Sequence, residues 1–172
     1  MTIRFDDVHS IKLLMRACQV QFVPTLHHAI ADYDRDDHIK GGVLYTDYYG
    51  GSCQMHVAGF QKGWASKSLL WLAFDYPFNQ LGVRKVFGFV PEWNWRARNF
   101  DNKLGFKLEY TCADVFDRTD GVNGMHLMSM TRDECRWLRM KMPFIEFAPQ
   151  LRTSEVTSTM ALAALPTYGG IH

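Results

Sequence analysis

An α/β (α+β) fold with a mixed central sheet is predicted by three features of the sequence. Residues 39–58 carry a hairpin signal: Ile39 to Tyr49 is rich in β-branched and aromatic residues, Gly50-Gly51 makes a turn, and Ser52 to Ala58 returns. A strand–helix–strand run then spans residues 52 to 90, which calls for a parallel or splayed strand pair. Finally, a capped helix, Asn94 to Gly105, leads into two further strand segments.

Taken in order, apolar residues at helical spacing begin at Val8, Ile11, Leu14 and Met15 and resume at Phe22, Leu26 and Ile30. Pro24 divides them into two helices. A polar stretch, Asp32 to His38, precedes the hairpin. Residues 65–80 read as a helix capped by Ser66, with Leu69, Leu70, Leu72, Ala73 and Phe74 on its packed side. Pro77 predicts a kink or early stop there, and Gly82 an end. Val83 to Val90 alternates Val86, Gly88 and Val90 against Phe87 and Phe89, as a strand does. Phe106 to Phe116 and Val122 to Met130 are strands around a turn at 117–121, and Arg132 to Met140 is a short helix. Residues 1–152 form one domain; the Thr/Ser/Ala-rich residues 153–172 are expected to be loosely ordered.

Composition narrows the function. The 172 residues are 47% hydrophobic and 14% aromatic, which excludes a disordered chain. Nineteen basic against eighteen acidic residues give a net charge of +1, too small an excess for a general nucleic-acid or membrane-surface binder. No apolar run reaches the ~18 residues of a membrane helix, and the first residues hold no export core. Cys18, Cys53, Cys112 and Cys135 match no zinc spacing and read as reduced thiols. A cytoplasmic location follows, the host cytoplasm if the chain is viral.

The segment from Asn94 to Phe106, with Ala97, Lys103, Leu104 and Gly105 in between, resembles the N-x-x-A/S…K-L-G-F segment of GNAT acetyltransferases. Upstream, Tyr76 to Val90 is similar to the corresponding helix and strand of the ribosomal-protein N-acetyltransferase branch. The resemblance covers roughly residues 39–138. It implies a GNAT fold: a mixed sheet of six to seven strands, flanked by helices, whose splayed central pair leaves backbone groups unpaired. It also implies acetyl-CoA as co-substrate, with pantetheine added beside Met55, Val57 and Gly59 like an extra strand. The pyrophosphate would lie on the loop Gln61, Lys62, Gly63, Trp64, Ala65 and Ser66, at a helix N-terminus.

Three positions depart from the family pattern. Trp64 and Ser66 stand where the loop has glycines; the indole either covers the phosphate path or points away. Asp101 stands where many members have a Tyr, four residues before Gly105, that protonates the leaving thiolate. An aspartate donates a proton at neutral pH only if its pKa is raised. Asn94 reads both as a helix cap and, by resemblance, as a pantetheine contact. For the general base His56 ranks first, then Glu92, with Glu109 behind; an ordinary polar role competes for each.

These readings lead to an N-acetyltransferase that moves acetyl from acetyl-CoA to a primary amine by direct attack in a ternary complex, since no Cys/His pair suggests a covalent intermediate. The alternative is a catalytically inactive GNAT-fold binding protein. The degenerate motifs resemble GNAT-like reading frames of tailed phages, which implies docking onto a host enzyme through Tyr45, Tyr48, Tyr49, Trp93 and Trp95. A third option is an assembly factor with 153–172 as an adhesive tail. Partners are thus an amine-bearing acceptor or a host protein, with a homodimer among the expected assemblies. The Asp32–Asp37 stretch fails the calcium-loop pattern, since Asp37 replaces the required Gly and Val43 the bidentate Glu, and no metal is expected. Its four carboxylates could instead attract a cationic acceptor. Arg132, Arg136, Arg139 and Lys141 read as the exposed end of a helix.

Overall fold

The computed structural model describes residues 2–19, 28–119, 121–143 and 145. Seven strands form one mixed sheet in the order β1-β2-β3-β4-β5-β7-β6. They are β1 (Thr2–Phe5), β2 (His28–Tyr33), β3 (Ile39–Thr46), β4 (Ser52–Gly59), β5 (Lys85–Pro91), β6 (Lys107–Arg118) and β7 (Gly121–Thr131). Helix α1 (Val8–Cys18) lies between β1 and β2, α2 (Lys67–Asp75) between β4 and β5, and α3 (Trp95–Leu104) between β5 and β6. The strand count and mixed sheet match the expected fold.

Three expectations change. His28 to Ile30 is strand, not the end of a second helix. Ala29, Ile30 and Ala31 are all fully buried because β2 is covered on both faces, Ala29 by the α1 cluster and Ile30 by the larger core. A strand buried on two faces reads as a continuous apolar run, and here its spacing coincided with that of a helix. The N-terminal strand β1 was not foreseen. The helix expected over 132–140 contracts to a 3₁₀ turn, Arg136–Arg139. Pro24 and residues 153–172 lie outside the described residues.

The chemistry of the caps fits the helices. Asp7 accepts from the Ser10 N–H at 2.8 Å, Ser66 Oγ from the Leu69 N–H at 3.2 Å, and Asn94 Oδ1 from the Ala97 N–H at 3.1 Å. Gly105 closes α3 with φ 114°, and the N–H groups of Gly105 and Phe106 both reach the Asp101 carbonyl. Pro77 acts as expected: α2 ends at Asp75 and runs into a π-helical turn, Tyr76–Gln80. Pro77 has no N–H to give to the Ala73 carbonyl four residues back. The buried Tyr45 hydroxyl donates to that carbonyl at 2.8 Å instead.

Core residues fall on two sides of the sheet. Val43, Tyr45, Cys53 and Met55 pack with α2, Leu104 and Phe106, while Leu14, Met15, Ala29 and Leu44 form a smaller cluster under α1.

Candidate functional site

Strands β4 and β5 run parallel but pair over three residues only, Ser52–Lys85, Cys53–Val86 and Gln54–Phe87. Beyond Gln54 and Phe87 they part. The separation is the expected fork. A cavity of about 210 Å³ opens in it, walled by Met55, His56 and Val57 of β4, by β5 from Gly88 to Pro91, and by Asn94, Ala97 and Asp101 around α3. The last residues of α1, Ala17 to Gln19, close another side. The backbone of β4 from Met55 onward therefore faces a ligand-sized gap and not a strand.

Asp101 is the electrostatic centre of this cleft. It is 8% exposed, and burial pushes its carboxyl up to about 7 from an ordinary value of 3.8. Its place in the last turn of α3, at the negative end of the helix, works in the same direction. Gly88 leaves the space in front of it clear: a Cβ there would meet Asp101 Oδ2 at 3.7 Å and the Met55 carbonyl oxygen at 3.9 Å. Sequence reading named Asp101 but not Gly88. The signal was present, as a glycine within a strand otherwise rich in Val and Phe.

His56 reaches the cleft as well. Its Nε2 lies 2.9 Å from Thr46 Oγ1, which also lies 2.8 Å from Asp47 Oδ2. A hydroxyl has one hydrogen. When Thr46 donates it to Asp47, Nε2 must carry the imidazole hydrogen of the neutral ring, and Nδ1 is the basic nitrogen. Cys18, at the rim, has its thiol pushed up to about 11 by burial, so it does not supply a thiolate nucleophile.

The other candidates sit elsewhere. Glu92 is exposed, and its Oε2 accepts from the Gly124 N–H at 2.6 Å, bracing β7 instead of facing the cavity. Glu109 pairs with Lys85 and accepts from Ser129 Oγ at 2.5 Å on the far strands. Asn94 caps α3 and also lines the cavity.

The loop after β4 is tightly engaged within the protein. The Trp64 indole lies across Gly41 and Gly59, which pair with each other in adjacent strands. A Cβ on Gly59 would lie 2.2 Å from the indole, and one on Gly41 2.6 Å. The indole also contacts Phe100 of α3, with ring centroids 5.3 Å apart, which ties the loop to α3. Gln61 Nε2 donates to Asp34 Oδ2 at 2.9 Å. Lys62 and Lys67 are exposed, as is Gly63, whose φ is 74°.

Asp32 to His38 runs from the end of β2 through the turn that leads into β3. Three of its four acids are matched internally: Asp32 with Lys40, Asp37 with Arg4, and Asp34 with the Gln61 amide, which holds the Asp34 carboxyl below the usual range. Asp34, Asp36 and His38 present ligand atoms within 4.8 Å of one another, but Asp34 Oδ1 already accepts the N–H groups of Asp36 and His38. Among the suggested docking aromatics, Tyr45 is buried at 2% exposure, and Trp93 packs edge-on against Phe116. Among the described residues no helix is long and apolar enough to cross a membrane.

No protein-family model matches the chain, and neither does any curated protein sequence. Solved structures do. The chain is similar to the spermidine/spermine N-acetyltransferase SpeG of Vibrio cholerae, in a glutamate-to-glutamine mutant form, at 15% identity. That match covers 77% of this chain and 95% of the other, with a TM-score of 0.62. It is also similar to the same enzyme solved with CoA and spermine, at 16% identity over 75% and 78% of the two chains (TM-score 0.56). A dodecameric form of that enzyme matches at 14% identity over 77% and 94% (TM-score 0.61). The α/β sheet with its forked centre is the GNAT fold.

Proposed function

We propose that the chain is an acetyl-CoA-dependent N-acetyltransferase that acylates a primary amine by direct attack within a ternary complex. The observation that carries this reading is the Asp101 carboxyl, held near neutrality inside the β4–β5 fork in front of Gly88. In this reading the pantetheine arm lies along the unpaired part of β4, and backbone N–H groups there polarise the thioester carbonyl. The amine nitrogen attacks that carbon; a C–N bond forms and the C–S bond breaks. Asp101 gives its proton to the departing sulfur. An ordinary thiol titrates near 8.5, so transfer from a group near 7 runs downhill. The proton lost by the amine passes toward the His56 imidazole. The raised Cys18 pKa argues against an acyl-cysteine step.

Spermidine and spermine, for which the similar enzyme is named, carry primary amines, the acceptor class proposed here. The test is calorimetry with acetyl-CoA followed by thiol-release assays against polyamines, lysine peptides and free N-terminal peptides. Heat of binding and amine-dependent thiol release are expected. Absence of both would remove the enzyme reading and leave a docking scaffold with this fold.

A further inference from the structure

We infer that the acyl donor is recognised through its acylated pantetheine arm and not through its diphosphate, so that acyl-pantetheine thioesters serve as donors of the same rank as acyl-CoA. This deepens the acyltransferase reading and rests on it. A diphosphate is ordinarily held by free N–H groups and positive potential at a helix N-terminus. Around the N-terminus of α2 part of that supply is already committed within the protein.

Several of the donors are already engaged. The N–H groups of Phe60 and Gln61 both go to the Lys40 carbonyl, at 2.8 and 3.1 Å. The Ser66 N–H goes to the Trp64 carbonyl at 2.8 Å, and Ser66 Oγ caps the Leu69 N–H.

A buried carboxylate also stands at the helix start, opposing the exposed Lys62 and Lys67. Ser66 Oγ donates to Asp32 Oδ2 at 3.1 Å, which sets a fully buried carboxylate against the helix start. Lys40 Nζ, 3.2 Å from the same oxygen, is the cation that answers it. Asp32 Oδ1 has no hydrogen-bond partner among the described residues. A second anion here would meet a carboxylate that lacks even its full set of donors.

Sterically, the indole of Trp64 fills the space that Gly41 and Gly59 leave and reaches Phe100. Those two glycines are matched to the indole: any side chain at either would collide with it. The ring is thus built into the sheet. What remains open is the inner cleft bounded by Met55, Gly88 and Asp101, where the acyl group and the end of the pantetheine arm would react.

The transfer itself is unchanged: C–S breaks, C–N forms, and the sulfur leaves as a thiol whether or not a nucleotide is attached. The experiment compares kcat/KM for acetyl-CoA and acetyl-pantetheine with one acceptor amine, and adds 3′-phosphoadenosine 5′-diphosphate as an inhibitor. The expected result is a donor ratio within about fivefold and no inhibition by the nucleotide. A preference for acetyl-CoA of a hundredfold or more, or competitive inhibition by the nucleotide, overturns the inference while leaving the acyltransferase reading intact. No transfer from either donor overturns both. As a second arm, Trp64→Gly should move the donor ratio toward acetyl-CoA by tenfold or more; an unmoved or reversed ratio counts against the inference.

Discussion

At Gly88 a Cβ would make only ordinary contacts, at 3.7 and 3.9 Å; at Gly41 and Gly59 the room left by the missing side chain is filled by an indole 2.6 and 2.2 Å from where a Cβ would stand. The two ends of one fork thus use glycine in opposite ways. At the inner end, a half-neutral carboxyl faces an empty gap. At the loop end, an aromatic ring, a buried ion pair and a set of internal hydrogen bonds take up the room and the donors. A glycine in a strand reports that something approaches closely, but it does not say whether that something is a ligand or the protein itself.

The contrast can be broken most forcefully at Asp101. Asp101→Asn removes the proton donor and should lower kcat by a hundredfold or more. Wild-type turnover should fall as pH rises through about 7, when the carboxyl ionises. Stability should move the other way in the variant. Folding raises this pKa, so the native chain holds a proton that the unfolded chain has lost between about pH 4 and 7. The native state is relatively penalised as pH climbs through that window, by up to about 4 kcal/mol above it. Asp101→Asn should therefore melt higher than wild type at pH 8 and close to it at pH 4. A variant that keeps its turnover, or that melts lower at pH 8, would unseat Asp101.

A smaller effect separates the two kinds of glycine. Gly59→Ala forces its methyl into the Trp64 ring and should cost about 1–3 kcal/mol, or several degrees of melting temperature. Gly88→Ala makes only ordinary contacts and should leave the melting temperature within about 2 °C. Equal losses at both sites would erase the distinction. The smallest effect belongs to Glu92→Gln. Its carboxylate accepts the Gly124 N–H outside the cleft, so kcat should change by less than about threefold. A hundredfold loss would restore Glu92 as a base.

Much of the fold was legible because local chemistry and tertiary need agreed. Asn94 and Gly105 cap α3 where the residues say they should, and Gly50-Gly51 turns the hairpin. The β2 strand was misread because burial on both faces erases the alternation that marks a strand. In the site, Asp101 and His56 were visible as residues, but the burial that raises the Asp101 pKa exists only once α3 packs over β5. The setting of Glu92 was hidden for the same reason: nothing local announces that Gly124, thirty-two residues away, will engage its carboxylate. Trp64 could be recognised as an anomaly, yet the glycines that receive it lie on two other strand positions.

The Thr46 hydroxyl has a consequence beyond its own strand. It joins an exposed acid, Asp47, to an imidazole on the cleft wall through two hydrogens, its own and the one on Nε2. Neutralising Asp47 would let the hydroxyl's hydrogen turn toward Nε2, which could accept it only by giving up its own. The polarity of the inner cleft is thus governed from the protein surface.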